Sequence, residues 1–364
     1  MTFENQELVS AVLSIVDRIG VDTQTPAGAV DAEIWAALTE SGFSTVSVSE
    51  EYGGGAGTLA DALAVISAVT RTGAVTPLIE HTIATWLASA AGHEVQSTSA
   101  TVGFAGDGAI LRRRGDAVVL EGTVSDIVHA ESTDTIVLLV GTADGDRPRV
   151  VVVSTTAEGV TQDHGTDLVG AALTDVTFVS TPVVFCGDSP IDTEAARDLA
   201  AVAYSVAMSA AATSVRDRTV QYAGERQQFG RPLAKFQAIQ QSLAWLAALT
   251  AMTETAVAAA VEATMNRPDQ ARAAVATAKV VTSENARAIS NAAHQIHGAI
   301  GFTSEYPLGR FTTSLLSWRD RYGNEHEWAT VLADQILDDG ADLWDTIVGD
   351  SSATRENTTE VDPA

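Results

Sequence analysis

Hydrophobic residues recur at helical spacing through about the first 90 positions, alternate with polar ones through the middle of the chain, then return to helical spacing. Leu8, Val12, Ile15, Val16 and Ile19 mark one amphipathic helix, and Ile34-Trp35-Ala36-Ala37-Leu38 marks another. The segments beginning at Ala117, Thr135 and Val150 are short apolar runs bounded by Gly, Asp and Pro, which reads as a set of strands. From about 193 onward the spacing predicts Ala-rich helices over 193–228, 233–265 and 268–299, with a further helical stretch from about 305. Pro268 and Asp269 open the third of these. The pattern predicts an α+β chain: an N-terminal helical domain over 1–97, a middle β domain over 98–190 and a C-terminal antiparallel four-helix bundle over 191–349. The polar tail over 350–364 is expected to be disordered.

Some of the breaks between elements carry candidate chemistry. Gly42 to Gly55 reads as an extended piece followed by a glycine turn, and it lacks the strand-glycine-helix setting of a nucleotide loop, so a connector is expected. Arg112-Arg113-Arg114-Gly115 lies in a strand-turn context and reads as a solvated hairpin face. More informative is Tyr222-Ala-Gly-Glu-Arg226-Gln-Gln228-Phe229-Gly230-Arg-Pro232, running on to Gln237. Gly230 can take a positive φ and Pro232 can open a helix but not continue one, so Arg226, Gln228 and Phe229 are held at a helix-break-helix corner that suits an anion. A pairing of Arg226 with Glu225 is the competing reading.

Charge sharpens the interest of that corner. The 21 Lys and Arg against 47 Asp and Glu leave a formal net charge of -26, which disfavours nucleic acid and anionic membranes as partners. A phosphorylated small ligand then needs its arginines gathered locally. Cys186 is the only cysteine, so neither an intrachain disulfide nor a multi-cysteine metal site can form. With an acidic start and no apolar run approaching the roughly 20 residues that span a bilayer, a cytoplasmic location is expected.

A second corner follows the third bundle helix, in His294-Gln295-Ile-His297-Gly298-Ala299-Ile-Gly301-Phe302, continuing to Glu305-Tyr306-Pro307. The glycines end the helix, and the Gln295 amide can both donate and accept. His294, His297 and His326 have no companion ligands at a convincing spacing, so no metal site is assigned.

The order of helical domain, β domain and bundle, with the Arg-Gln-Gln-Phe-Gly and Gln-Ile-His-Gly-Ala corners, resembles the acyl-CoA dehydrogenase family over nearly the whole chain. The resemblance implies FAD as cofactor, with bundle corners gripping its pyrophosphate and adenosine across a dimer interface. It places Arg226, Gln228, Phe229 and Gln237 on the first set of those contacts, and Gln295, Gly298 and Ala299 on the second. It also implies an electron-transfer flavoprotein as acceptor.

The departures from the family pattern are equally specific. The flavin-facing Trp-Ile-Thr-like strand is replaced by Thr123-Val-Ser-Asp126-Ile127-Val128-His129. The catalytic glutamate position holds Tyr322, and the alternative position used by some relatives falls near Ala200 and Ala201. A phenol with a pKa of about 10 is a poor base near neutrality. The chain therefore resembles the non-catalytic subunit of actinobacterial α2β2 acyl-CoA dehydrogenases that act on CoA thioesters of steroid side chains. A homologous catalytic chain is expected to supply the glutamate and to bind most of the acyl-CoA. The alternatives are a self-sufficient homotetramer with Glu325 or Glu327 as a displaced base, and a flavin-free scaffold or regulatory homologue.

Overall fold

The computed structural model describes residues 5–22, 28–94, 99–115, 117–142, 147–303 and 305–337. The expected tail over 350–364 lies outside these residues, as does 95–98, where the first expected boundary falls.

Four helices come first: α1 Gln6–Ile19, α2 Ala32–Glu40, α3 Leu59–Thr72 and α4 Leu78–Ala90. Thr58 and Asp61 close a reciprocal capping box at the start of α3, satisfying amide groups that the first turn leaves open. The stretch from Gly42 to Gly57 is a compact loop rather than an extended piece. Two single 3-10 turns, Phe43–Thr45 and Glu50–Tyr52, are folded back so that Gly55, Ala56 and Gly57 donate to the carbonyls of Thr45, Val48 and Val46. A Cβ on Gly54 would lie 2.2 Å from the Val48 carbonyl oxygen, so this close return requires glycine.

Two four-stranded sheets follow. One is ordered β1 (Ala100–Gly106), β4 (Thr135–Val140), β5 (Arg149–Ser154), β8 (Phe185–Asp188), with β1 parallel to β4. The other is wholly antiparallel: β2 (Ala109–Arg114), β3 (Ala117–Val128), β7 (Ala172–Pro182), β6 (Val160–Thr166). Ile136, Leu138 and Val140 of β4 pack with Leu120 and Phe178 between the sheets, while Val137 and Leu139 pack toward the helices. This strand reads as one continuous apolar run because both of its faces are buried. On β2, Arg112 and Arg114 are exposed and both pair with Glu121 across the hairpin, as a solvated face does.

The C-terminal bundle is built on α5 (Thr193–Glu225), α6 (Gln237–Asn266) and α7 (Pro268–His297). The expected fourth helical stretch is broken into α8 (Leu308–Trp318) and α9 (Glu325–Leu337) by a turn around Tyr322. α5 is lined with alanine and serine, and its buried residues run from Ala196 to Ala223, so it forms the axis of the bundle. The chain does contain helices apolar and long enough to cross a bilayer, contrary to expectation: α5 and α6 both pass by length and composition. The apolar window of α5 is 94% buried inside the protein, whereas that of α6 is only 39% buried. α5 is thus a core helix, and α6 presents a large uncovered apolar face carrying Trp245 and Met252.

Candidate functional site

Arg226 ends α5. Its φ and ψ are -69° and 121°, its amide still donates to Tyr222, and its carbonyl accepts from Leu233 at 2.8 Å. The chain then turns back in a tight hairpin in which Gln228 pairs with Arg231. The two residues at its tip, Phe229 and Gly230, both take positive φ, 52° and 78°. A two-residue hairpin of this kind demands left-handed backbone at both tip positions, which suits Gly230 and costs Phe229 roughly 1–2 kcal/mol. Phe229 is also 93% exposed. Its one ring contact is edge-on to Phe236 at 6.2 Å, so the strained aromatic is left largely to solvent.

Cations gather at the same corner. Among the described residues no ion pair involves Arg226, Arg231 or Lys235, and Glu225 instead accepts from Gln221 at 2.9 Å, so the Glu225–Arg226 pairing is absent. The Arg231 guanidinium stacks 4.2 Å from the centre of the Phe236 ring. Helix α6 begins immediately afterward at Gln237, and its N-cap, Phe236, offers no side-chain acceptor to the open amides of the first turn. Guanidinium groups without an ion pair, beside an uncapped helix N-terminus, form a donor set of the kind that suits an anion. Arg231 was not among the expected contacts. Its cation–π partner lies five residues downstream, and only the hairpin brings the two together.

The second corner lies against the first. Tyr222, in the last turn of α5, stacks on His297 at 4.4 Å between ring centres and donates to the His297 carbonyl at 3.4 Å. Gln295 is exposed on the last turn of α7, Gly298 ends that helix at φ 63°, and Ala299 lies exposed in the 3-10 turn Gly298–Phe302. His297 is buried: its Nδ1 donates to the Ala293 carbonyl, so its Nε2 accepts from the Tyr306 hydroxyl. His294 bonds Thr312 and stacks on Phe302. These histidines are packing groups that hold the corner in shape.

A separate groove of about 490 Å³ runs between β1, β3 and the turn after α8. Phe104, Asp126, Val128, Arg321 and Tyr322 line it. Tyr322 stands at φ 55°, its ring edge-on to Phe104 at 5.3 Å and tilted against Tyr204 at 5.7 Å. Burial, with Glu80 adding to it, pushes its hydroxyl well above the ordinary tyrosine range, so it is neutral and a poor proton acceptor. Behind it the Tyr204 hydroxyl donates to the buried Glu80 carboxylate, and Arg321 binds Asp167 at 2.8 Å. These charges are compensated inside the chain. Ala200 and Ala201 are fully buried and present no functional group.

Glu325 and Glu327, the candidate displaced bases, do not line the groove. Glu325 is bound by Arg319. Glu327 pairs with Arg197 at 2.6 Å and forms reciprocal hydrogen bonds with Asn324 at the start of α9. Their order along the chain places them near Tyr322, but Arg319 and Arg197 hold their carboxylates in ion pairs outside the groove lining.

With this geometry in view, two family models match: Acyl-CoA dehydrogenase, N-terminal domain, over residues 6–101, and Acyl-CoA dehydrogenase, C-terminal domain, over 196–324. Together they take in more than half of the chain, which belongs to the acyl-CoA dehydrogenase family. Among relatives, Acyl-CoA dehydrogenase IpdE2 of Mycolicibacterium smegmatis is 27% identical over 76% of this chain and 79% of its own. Benzylmalonyl-CoA dehydrogenase of Aromatoleum aromaticum is 40% identical, but the match spans 30% of this chain and only 28% of that protein. Among solved structures, the Tcur3481-Tcur3483 steroid ACAD aligns with TM-score 0.81 at 21% identity, covering 93% of this chain and 99% of that one. The ChsE4-ChsE5 complex from Mycobacterium tuberculosis aligns with TM-score 0.80 at 20% identity, covering 92% and 98%. These structures share the fold: N-terminal helices, middle β-sheets and C-terminal helical bundle.

Proposed function

We propose that this chain is the non-catalytic subunit of a heteromeric, FAD-dependent acyl-CoA dehydrogenase. A homologous partner supplies the glutamate base and most of the acyl-CoA pocket. The observation that carries the reading is the contrast at the two sites: an exposed, unpaired cationic corner at Arg226, and a groove in which Tyr322 stands where the family has its base.

The corner fits the tail of the cofactor. Arg226 and Arg231, beside the open N-terminus of α6, would hold a diphosphate, with Gln228, Phe229 and Gln237 around it and Gln295, Gly298 and Ala299 on the adjoining turn. The chain's own groove does not fit the reactive part. Among the described residues that line it there is no glutamate, and the strand there carries Asp126 and Val128 rather than a stacking tryptophan. A bound flavin supplies the hydride acceptor for α,β-dehydrogenation. This chain's residues hold its anionic end and leave proton abstraction to the partner.

The uncovered face of α6, with Trp245 59% and Met252 55% exposed, is the natural seat for that partner. The substrate class is a CoA thioester, with a steroid side chain as the first candidate because one structural neighbour is a steroid ACAD. An electron-transfer flavoprotein is the proposed acceptor, and the cytoplasm the proposed compartment. The test is co-expression with homologous dehydrogenase chains that carry the glutamate. The copurified pair should contain FAD and oxidise acyl-CoA, and Arg226→Ala should weaken FAD binding about 30-fold without separating the chains. A pair whose affinity for FAD is unchanged by that substitution would refute the assignment.

A further inference from the structure

Lys279, on α7, has no solvent exposure and, among the described residues, no carboxylate within ion-pair distance. Its Nζ donates to the carbonyl oxygens of Trp318 at 3.1 Å and Arg319 at 2.9 Å. One turn further along, the Ser283 hydroxyl donates to the same Arg319 carbonyl at 3.1 Å. Helix α8 ends at Trp318, where carbonyls lose their intrahelical partners; the Arg321 amide donates to the Trp318 oxygen at 3.1 Å, and side chains of α7 supply the remaining donors. The amine at that end also faces the negative pole of the helix dipole.

The turn leaving α8 needs this support. Tyr322 and Gly323 take consecutive positive φ values of 55° and 110°, a conformation that a tyrosine does not hold unaided. Arg197 Nε and Trp328 Nε1 both donate to the Tyr322 carbonyl at 3.1 Å, which fixes the far side of the turn. A Cβ on Gly323 would lie 2.6 Å from Arg197 Nη2, so the turn is closed tightly against α5. On the near side, Lys279 and Ser283 are the side chains from α7 that reach its carbonyls.

We infer that Lys279 is the positioning residue of this turn: with Ser283 it pins the end of α8 and thereby sets where Arg321 and Tyr322 stand in the groove. Its functional meaning rests on the proposed reading, in which Tyr322 keeps this chain's groove from serving as a second catalytic site. The charged groups facing Lys279 are Asp320 on the turn, Glu325 and Glu327 on α9, and Arg197 on α5. Burial outweighs the carboxylates and brings the amine down to about 7. Because this lies below the unfolded value of 10.5, the cost of burying the ammonium is present in full below about pH 7. That cost is relieved as the pH rises from there toward 10.5.

Hydrogen exchange followed by mass spectrometry on the full chain tests the assignment in the wild type, Lys279→Met, Lys279→Gln and Ser283→Ala. Methionine keeps the volume and removes both donors; glutamine restores one. The amides of Arg321 and Gly323 should exchange at least tenfold faster in Lys279→Met, by an intermediate amount in Lys279→Gln and least in Ser283→Ala, with the middle of α6 unchanged. The rise in wild-type stability between pH 7 and 9 should also be shallower in both Lys279 variants. Unchanged exchange over 319–323 in Lys279→Met would overturn the proposal. So would exchange that quickens uniformly in Ser283→Ala and Lys279→Gln, which also decide the matter if Lys279→Met does not fold. Because exchange is read without flavin or partner, this test and the flavin count fail independently.

Discussion

The corner at Arg226 and the groove at Tyr322 treat charge in opposite ways. In the groove Arg321 is bound by Asp167, behind it Glu80 accepts from Tyr204, and the Tyr322 carbonyl is held by Arg197 and Trp328. At the corner, Arg226 and Arg231 have no carboxylate partner among the described residues, and a strained phenylalanine faces solvent. Around Tyr322 the buried charges are paired within the chain; at the corner, on the proposed reading, the cations await a ligand. Substitutions in the first should therefore register as lost stability, and substitutions in the second as lost ligand.

The sharpest way to break that contrast is Tyr322→Ala. Emptying the space between Phe104 and Tyr204 should lower stability by roughly 4 kcal/mol, as read from denaturant midpoints, and leave flavin in the copurified complex unchanged. If flavin were lost while stability held, the two regions would have been assigned the wrong way round. Acid provides a second probe of the interior. Burial holds His81 down to about 4, below its unfolded value of 6.5, so the unfolded chain binds the extra proton between those values. Its contribution, about 3 kcal/mol, is present in full above pH 6.5 and is lost as the pH falls through 4. In His81→Asn the slope of stability between pH 6.5 and 5 should flatten.

At the corner, Arg226→Ala should weaken FAD binding about 30-fold, the equivalent of about 2 kcal/mol for a charge-assisted contact, and leave the denaturation midpoint nearly unmoved. The smallest effect is expected from Glu327→Gln. It should cost about 1 kcal/mol through the Arg197 pair and the start of α9, with turnover of the complex unchanged. Loss of turnover there would revive the displaced base.

The fold was legible where its cause is local. Gly and Pro at 230, 232 and 298 announce the corners, and alanine-rich periodicity announces α5 to α7. The positions of the two corners were legible for the same reason, since a break between helices is written in the residues that make it; their role toward a ligand is the proposal. What escaped was produced at a distance. The split between α8 and α9 has no proline, and the end of α8 is held by Lys279 and Ser283, some 40 residues earlier in the chain. The Glu80–Tyr204 hydrogen bond joins residues 124 apart, and no sequence periodicity records such a pair. The stretch after Gly42 read as extended because Val46 and Val48 alternate with serine, yet its glycines allow a folded return that propensity does not reveal.

The central claim is that this chain owns half of a flavin site, and counting flavin by native mass spectrometry tests it most directly. Expressed alone, the chain should carry no FAD; copurified with a glutamate-bearing partner, it should appear in a complex that does. Stoichiometric FAD on the isolated chain, bleached on addition of an acyl-CoA, would contradict the claim.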